Sequence, residues 1–235
     1  GACFLGIPLF AGEMIPVRVR VGFGLMLALM LSEFAVADLQ LADHFMGLIL
    51  LAMNEVCIGL MMALTIRMVF FALQLAGHVI SYEIGLMASS SVNPLLGSSD
   101  ATITSLLYFF GLLLFFVTGI HYDVLRALAG SLQVMPIGKF LLGTNPVDEF
   151  IRDTGQIFII GTLMAAPFIA LNFLVNISFA VLGKAVPKMN VFMTSFAVRI
   201  MCGLLLLVSC ALLITAYIVD TGRQSAGKAL FLLSQ

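Results

Sequence analysis

The chain has 235 residues, of which 62% are hydrophobic and 10% are charged, whereas soluble domains carry roughly 25% charged residues. Lys and Arg together number 11, and Asp and Glu together number 12, so no charge excess points to nucleic acid or to an acidic substrate. These values exclude an ordinary soluble domain and favour an integral membrane protein.

The chain opens at Gly1, without an initiator methionine, on the apolar stretch GACFLGIPLF. We expect this stretch to be the tail of a first membrane segment that is incomplete in the sequence. No positively charged region precedes a small-residue cleavage site, so the stretch is not interpreted as a signal peptide.

Five apolar runs are long enough to cross a hydrocarbon core of about 30 Å, which takes roughly 20 helical residues. The alternation of polar and apolar residues that is typical of a membrane barrel is missing, so we expect helices. The runs are Val21–Ala37, Phe45–Leu75, Ile103–Ile120, Ile157–Leu182 and Phe196–Val219. The predicted fold class is therefore all-α, with one multi-helix membrane domain over residues 1–235.

Two of these runs are not expected to be simple spans. Phe45–Leu75 holds about 31 residues, or roughly 46 Å at 1.5 Å per residue, so it must tilt, break or stand partly outside lipid. Pro167 predicts a kink or a break in the fourth run. Polar connections are predicted at residues 38–44, 87–104 and 121–156.

Polar residues inside the second run mark a surface that faces protein or water. An ionisable residue at the bilayer centre costs at least ~2.5–3.5 kcal/mol on insertion scales. Glu55 lies near the middle of the run, with Asn54 beside it. A structural hydrogen bond between helices is the favoured interpretation of Glu55, and a proton relay is the alternative.

Asn172 and Asn176 lie four residues apart in the fourth run and share a helix face with Gly183. Asn side chains in membrane helices more often join neighbouring helices than bind ions, so this face is predicted to contact other helices. Arg67 and Arg199 lie near the ends of apolar runs, where long basic side chains extend towards a membrane interface.

The sequence gives no support for catalysis, a metal or a cofactor. It lacks GxSxG, HExxH and phosphate-binding glycine motifs, and the group His121, Tyr122 and Asp123 has no nucleophile with an orienting partner. Four cysteines lie in apolar stretches without a CxxC pair, and we expect them to be buried small hydrophobes. They are Cys3, Cys57, Cys202 and Cys210.

Several motifs follow one another in a fixed order along the chain. Residues 54–100, NEVCIGLMMALTIRMVFFALQLAGHVISYEIGLMASSSVNPLLGSSD, contain an E-x-x-x-G helix, then A-G-x-x-I-x-x-x-x-G, then a small-residue loop. In this order the motifs resemble those of the FliR family of export-gate proteins and its type III secretion counterparts. The family usually has Asp-Pro in that loop, whereas this chain has Asn93-Pro94, which puts any role of that carboxylate in doubt. Three further blocks agree in order: IPVRVRVGFGLMLAL at 15–29, MPIGK at 135–139 and VPKMNVFMTSFAVRI at 186–200.

The resemblance implies a subunit of a bacterial protein-export gate, without a cofactor, in the inner membrane at the flagellar basal body. Such a subunit joins FliP-like and FliQ-like chains, with a flagellar switch-protein neighbour such as FlhB, around a conduit for unfolded flagellar subunits. Its fold would have long, broken helical hairpins, like a FliP-like unit fused to a FliQ-like unit. Membrane lipid would be a further partner, and nucleic acid would not.

Within the family, a loop of this subunit lies in the lumen and helps to close the resting channel. The matching segment here is rich in small polar side chains, with a permissive glycine and a proline. The implied plug residues are Met87, Ser89, Ser90, Ser91, Val92, Asn93, Pro94, Leu95, Leu96, Gly97, Ser98 and Ser99.

Two alternatives stay open at this point. The MPIGK and ALAGSLQV stretches resemble the flagellar branch, and a virulence type III secretion homologue is the first alternative. A small-molecule or ion transporter is the second, because Glu55, Asn172 and Asn176 could serve one. Matched broken helices in an inverted repeat would support a transporter, and no convincing internal repeat is evident.

Overall fold

The computed structural model describes residues 16–32, 45–87, 101–134, 144–186 and 190–231. All regular elements within these ranges are helices, so the all-α prediction is confirmed. They are α1 (Val17–Leu31), α2 (Phe45–Ile84), α3 (Ala101–Val117), α4 (Ile120–Val134), α5 (Thr144–Ala185), α6 (Val191–Ser209) and α7 (Ala211–Phe231).

The chain divides into two compact units whose boundaries fall inside helices. The described residues of the first unit lie within Gly1–Phe70, Leu112–Gln156 and Val219–Gln235, and those of the second lie within Phe71–Gly111 and Ile157–Ile218. The prediction of one domain over residues 1–235 stays a prediction.

A buried stripe along the carboxyl-terminal half of α2 forms the core of the second unit. Leu73, Ala76 and Ile80 are 0% exposed, and Ile84 is 1% exposed. These residues recur at intervals of three and four, so they lie on one face of the helix. This half of α2 is therefore surrounded by other helices of its unit.

Close backbone approaches pack α3 and α5 against this part of α2. A Cβ atom on Gly77 of α2 would lie 2.6 Å from Cα of Thr104 in α3. A Cβ atom on Gly161 of α5 would lie 3.0 Å from the carbonyl oxygen of Ala72. Glycine allows both approaches because it carries no side chain.

The carboxyl terminus of α2 is closed by Gly85, whose φ is +88°. The N–H of Gly85 donates to the carbonyl of Tyr82, and the N–H of Leu86 donates to the carbonyl of Ser81, both at 3.0 Å. This pair of bonds is a Schellman motif, which satisfies the last helical carbonyls. The ring of Phe196 from α6 lies against Gly85, 3.0 Å from the position of a Cβ atom.

A bend of 67° separates α3 from α4. Gly119 lies at the bend with φ of +76°, and the hydroxyl of Thr118 donates to the carbonyl of Leu114 at 2.7 Å. A hydroxyl bonded to the carbonyl four residues earlier favours helix bending, and glycine adopts the positive φ without strain.

A second bend, of 54°, separates α6 from α7 at Cys210. The hydroxyl of Ser209 donates to the carbonyl of Leu205 at 3.0 Å, which repeats the arrangement at the first bend. The apolar run predicted to be helical over Phe196–Val219 is helical, and the bend divides it between α6 and α7.

The first unit contains α1, which has no buried residue. Its packed part includes the rings of Phe70 and Phe115, whose centroids lie 5.9 Å apart at an interplanar angle of 67°. A Cβ atom on Gly222 of α7 would lie 2.8 Å from Cδ1 of Ile120, the first residue of α4. Helices α4 and α7 therefore approach closely in this unit.

By length and composition, two helices of the described part can cross a membrane: α2, and α5 from Ile151 to Ala185. The bent pairs α3–α4 and α6–α7 raise this number to four if each pair is one span. Of the first predicted run, Val21–Ala37, only the part up to Leu31 lies in a described helix, α1.

Three expectations about individual elements can now be compared with the structure. Helix α2 is unbroken over 40 residues, or about 60 Å. Of the three options for the run Phe45–Leu75, which were a tilt, a break or a part outside lipid, the break is therefore excluded. The predicted break at Pro167 is absent, because α5 runs through this residue. The polar connection predicted at 121–156 is helical in its described residues, since α4 and the start of α5 occupy it.

Candidate functional site

The two asparagines predicted to face other helices lie one turn apart on α5. Nδ2 of Asn176 donates to Oδ1 of Asn172 at 3.3 Å. Further along the same face, a Cβ atom on Gly183 would lie 3.3 Å from Cγ2 of Val191, the first residue of α6. The structure therefore turns this face of α5 towards α6.

Asn172 also bonds to α2. Its Nδ2 donates to Oε2 of Glu83 at 2.5 Å, and Glu83 is a half-buried residue in the last turn of α2. A hydrogen bond to an ionised carboxylate is shorter and stronger than a bond between neutral groups. The carboxylate thus joins the carboxyl-terminal turn of α2 to the interior of α5, two segments that are distant in sequence.

Arg199 of α6 forms a hydrogen bond with the second asparagine, Asn176. Its Nη2 donates to Oδ1 of Asn176 at 2.5 Å, and its Nε is buried without a hydrogen-bond partner within the described ranges. The sequence predicts that Arg199 extends towards a membrane interface. In the structure its guanidinium instead bonds to the carboxamide on α5.

Glu83, Asn172, Asn176 and Arg199 together form what we call the polar chain, which joins α2, α5 and α6 within the second unit. Its ends carry opposite charges, and two carboxamides connect them. Side-chain hydrogen bonds between membrane helices contribute about 0.6–2 kcal/mol each. The polar chain can therefore fix three helices relative to one another, and it contains no nucleophile with an adjacent base.

Large apolar side chains are exposed on the same helices that carry the polar chain. On α5, Phe173 and Val181 are 64% and 65% exposed, and on α6, Leu205 and Val208 are 68% and 77% exposed. Exposed apolar surface of this kind marks contact with lipid or with other proteins. The polar chain is thus part of a unit with an apolar exterior.

A separate polar contact lies in the first unit. Nζ of Lys228 in α7 donates to Oδ1 of Asp153 at 2.5 Å and to Oε1 of Gln156 at 3.0 Å, both acceptors lying on α5. Asp153 is 6% exposed. A carboxylate this deeply buried needs a charged or hydrogen-bonding partner, and Lys228 supplies it.

The remaining predicted site residues are not brought into either polar contact. Asn54 and Glu55 are half-buried on the part of α2 that belongs to the first unit. Met87 is half-buried in the turn after α2. The other proposed plug residues, 89–99, lie outside the described residues, so their role stays a prediction.

Sequence reasoning missed both Glu83 and the pair Asp153–Lys228. Glu83 could have been noticed from the sequence, because it is a carboxylate in the last turn of a long apolar helix, two residues before the glycine of its cap. Asp153 and Lys228 are less noticeable, because charges at the ends of apolar runs are usually solvated. Neither feature names the partner, which depends on packing between distant segments.

Metal binding finds no support in the described part of the chain, where no three His, Cys, Asp or Glu side chains are grouped. The expectation that the cysteines are buried is wrong for the three in the described ranges, since Cys57 is exposed and Cys202 and Cys210 are half-buried. Cys3 lies outside those ranges.

Comparison with known proteins supplies the assignment that the geometry alone does not. The sequence profile of the bacterial export proteins, family 1, matches residues 1–224. The chain belongs to this family. Members of this family are components of a protein-export apparatus, and the family is not a family of enzymes. The apolar helices of the chain agree with membrane association.

Several relatives within family 1 are similar over most of their length. Flagellar biosynthetic protein FliR of Bacillus subtilis is 29% identical over 89% of this chain and 82% of its own. FliR of Escherichia coli is 24% identical over 89% and 80%. Yop proteins translocation protein T of Yersinia pestis is 28% identical over 88% and 80%.

Proposed function

We propose that this chain is a subunit of the flagellar type III protein export gate. With FliP-like and FliQ-like subunits it forms the conduit through which unfolded flagellar subunits cross the inner membrane at the basal body. The observation that carries the proposal is the family match over residues 1–224, together with relatives named flagellar biosynthetic protein FliR.

The exterior of the chain supports a place inside a larger membrane assembly. Helix α1 buries none of its residues, and Val17 and Leu29 are 68% and 73% exposed. Side chains of this kind are stable against lipid or against apolar partner helices and not against water. FliP-like and FliQ-like subunits, an FlhB-like neighbour and lipid are the proposed partners, with no nucleic acid.

The helical architecture supports a role in forming the transport path more than a role in supplying energy for transport. Within the described residues, α3–α4 and α6–α7 are bent pairs, which suits long, broken helical hairpins of a FliP-like unit fused to a FliQ-like unit. No catalytic role or cofactor is part of the proposal. Energy for transport would come from other components.

Co-purification tests the proposal directly. A tagged chain, expressed with FliP-like and FliQ-like subunits from the same cell and extracted in mild detergent, should carry both through affinity and size-exclusion steps. Recovery of the chain free of both would contradict the proposal.

Glu55 offers a test at the level of one residue, since it is a half-buried carboxylate on a helix with an apolar exterior. We propose that it contacts a partner subunit, so Glu55→Ala should lower the amount of FliP-like and FliQ-like subunit that co-purifies. The control Asp220→Ala removes an exposed carboxylate that bonds within α7 to Gln224 and should leave assembly intact. Equal recovery from both variants would count against a contact at Glu55.

A virulence secretion homologue is the second candidate, and the Yersinia relative at 28% identity supports it. The two candidates differ in their cargo. Export of flagellar subunits should fail on deletion of the gene if the first is correct, whereas export of virulence effectors should fail if the second is correct.

We further propose that the segment from Met87 to Ser99 closes the resting channel. Its small polar side chains and its glycine allow it to pack closed and to move aside at little cost. Deletion of residues 89–99 in the assembled gate should then raise ion leakage across the membrane, measured as conductance or as loss of membrane potential. A gate that stays tight after the deletion would contradict this role.

A further inference from the structure

The polar chain has only one possible hydrogen-bond direction. An ionised carboxylate only accepts hydrogen bonds, a guanidinium only donates them, and a carboxamide does both. Glu83 therefore requires Nδ2 of Asn172, which leaves Oδ1 of Asn172 for Nδ2 of Asn176. Oδ1 of Asn176 is then left for Arg199, and the contacts in the structure follow this order.

We infer that the carboxylate of Glu83 positions the guanidinium of Arg199 through the two carboxamides. The two charged groups belong to different helices, and no ion pair joins them among the described residues. Among the described residues, each end forms its side-chain hydrogen bond with a carboxamide. The charge at position 83 therefore sets the orientation of the Asn172 and Asn176 carboxamides. That orientation determines whether an acceptor faces Arg199.

The hydrogen bond of Arg199 depends on the orientation of the Asn176 carboxamide. The guanidinium has one hydrogen bond, to Oδ1 of Asn176, and its buried Nε has no partner in the described ranges. If the carboxamide of Asn176 turned over, its Nδ2 would face the guanidinium, donor against donor. Two donors that face each other cannot form a hydrogen bond, so Arg199 would lose its bond to α5.

Glu83 is thus a positioning residue, and in the described part of the chain it shares no hydrogen bond or ion pair with Arg199. Arg199 lies on a helix with a largely apolar exterior. Any role of the Arg199 position in assembly of the gate rests on the proposed function. The coupling between Glu83 and Arg199 does not rest on it.

Charge reversal gives the sharpest test. Glu83→Lys places donors at both ends and Arg199→Glu places acceptors at both ends, so each leaves one junction with two like groups. The double variant can satisfy every junction by turning both carboxamides over. In the purified full chain in detergent, we expect each single substitution to lower the melting temperature and the double variant to recover part of the loss. A double variant that melts no higher than the less stable single variant would overturn the inference.

Milder variants keep the test decisive if a reversed charge prevents folding. Glu83→Gln retains an acceptor and should stay near the wild-type melting temperature, whereas Glu83→Leu should not. A double-mutant cycle of Glu83→Leu and Arg199→Gln should be non-additive, and its coupling should vanish in an Asn172→Ala background. Additive effects, or coupling that persists without the carboxamide of Asn172, would refute transmission through the polar chain.

A matched cycle provides the control. Asp220 is an exposed carboxylate that bonds within α7 to Gln224, so Asp220→Asn and Arg199→Gln should be additive. Co-purification of the wild-type chain with FliP-like and FliQ-like subunits is measured in parallel. Its failure would overturn the proposed function, while the melting temperatures would still decide the inference about Glu83.

Discussion

Asp153 carries a buried carboxylate, which limits substitution at its partner. Its carboxylate is 6% exposed and accepts a hydrogen bond from Lys228. A buried ion pair gives little net stability compared with a well-packed apolar pair, but removal of one partner leaves an uncompensated charge. The contact holds the carboxyl-terminal half of α7 against α5. Its formation adds little to the free energy of unfolding, whereas loss of one partner lowers that free energy strongly.

We expect Lys228→Met to lower the free energy of unfolding by about 3–5 kcal/mol, because it leaves the carboxylate of Asp153 buried without a cation. Denaturant titration of the purified chain in detergent measures the change. Arg126→Met is the matched control: the Arg126 side chain is 82% exposed, and Nη1 lies 3.8 Å from Asp123, so its loss should cost about 0–1 kcal/mol. Equal costs for the two variants would contradict the buried ion pair.

Sequence reasoning at the residue scale succeeded where spacing determines the answer. Asn172 and Asn176 share a face because helical geometry places residues four apart on one side. Their partners, Glu83 and Arg199, lie 89 and 23 residues away in the chain, and no local rule relates such positions. The sequence therefore indicates which polar residues face protein, but not which of them meet.

At the scale of the elements, close approach of α6 to α2 is a feature that substitution can test. A Cβ atom on Gly203 would lie 2.5 Å from Cγ1 of Ile84, and Ile84 is 1% exposed. The inner atoms of a buried, branched side chain cannot move aside, so the two helices must separate.

We expect Gly203→Ala to destabilise the chain by about 1–3 kcal/mol, the usual cost of an overpacked core. Gly155→Ala is the matched control inside α5, since nothing lies within 4 Å of the added Cβ atom. It should stabilise the chain by about 0.5–1 kcal/mol, because alanine has the higher helix propensity. Thermal unfolding that ranks the two variants in the opposite order would contradict this packing.

The two bends show the limit of periodicity as a guide to elements. Gly119 and Thr118 mark the first bend in the sequence, but the second falls at Cys210, and no glycine or proline lies between Gly203 and Gly222. Hydrophobicity continues through this bend, so pattern reasoning predicts one helix. The hydroxyl of Ser209, bonded to the carbonyl of Leu205, is the local feature that distinguishes the site, and serine in this position is too common to predict a bend alone.

At the scale of the whole molecule, composition predicted a multi-helix membrane protein and no more. The ordered motif blocks narrowed this to an export-gate family, and the match over residues 1–224 confirms the family. The number of spans was less predictable. Five runs were expected, whereas the described part holds two unbroken candidates and two bent pairs, because helix breaks depend on packing and capping as well as on hydropathy.

The central claim, a subunit of the flagellar export gate, is tested most directly by export itself. The amount of hook and filament subunit released into the medium is measured in cells that lack the gene and in the same cells carrying the gene on a plasmid. We expect release to be abolished by the deletion and restored by the plasmid. Release that continues unchanged without the gene would contradict the account.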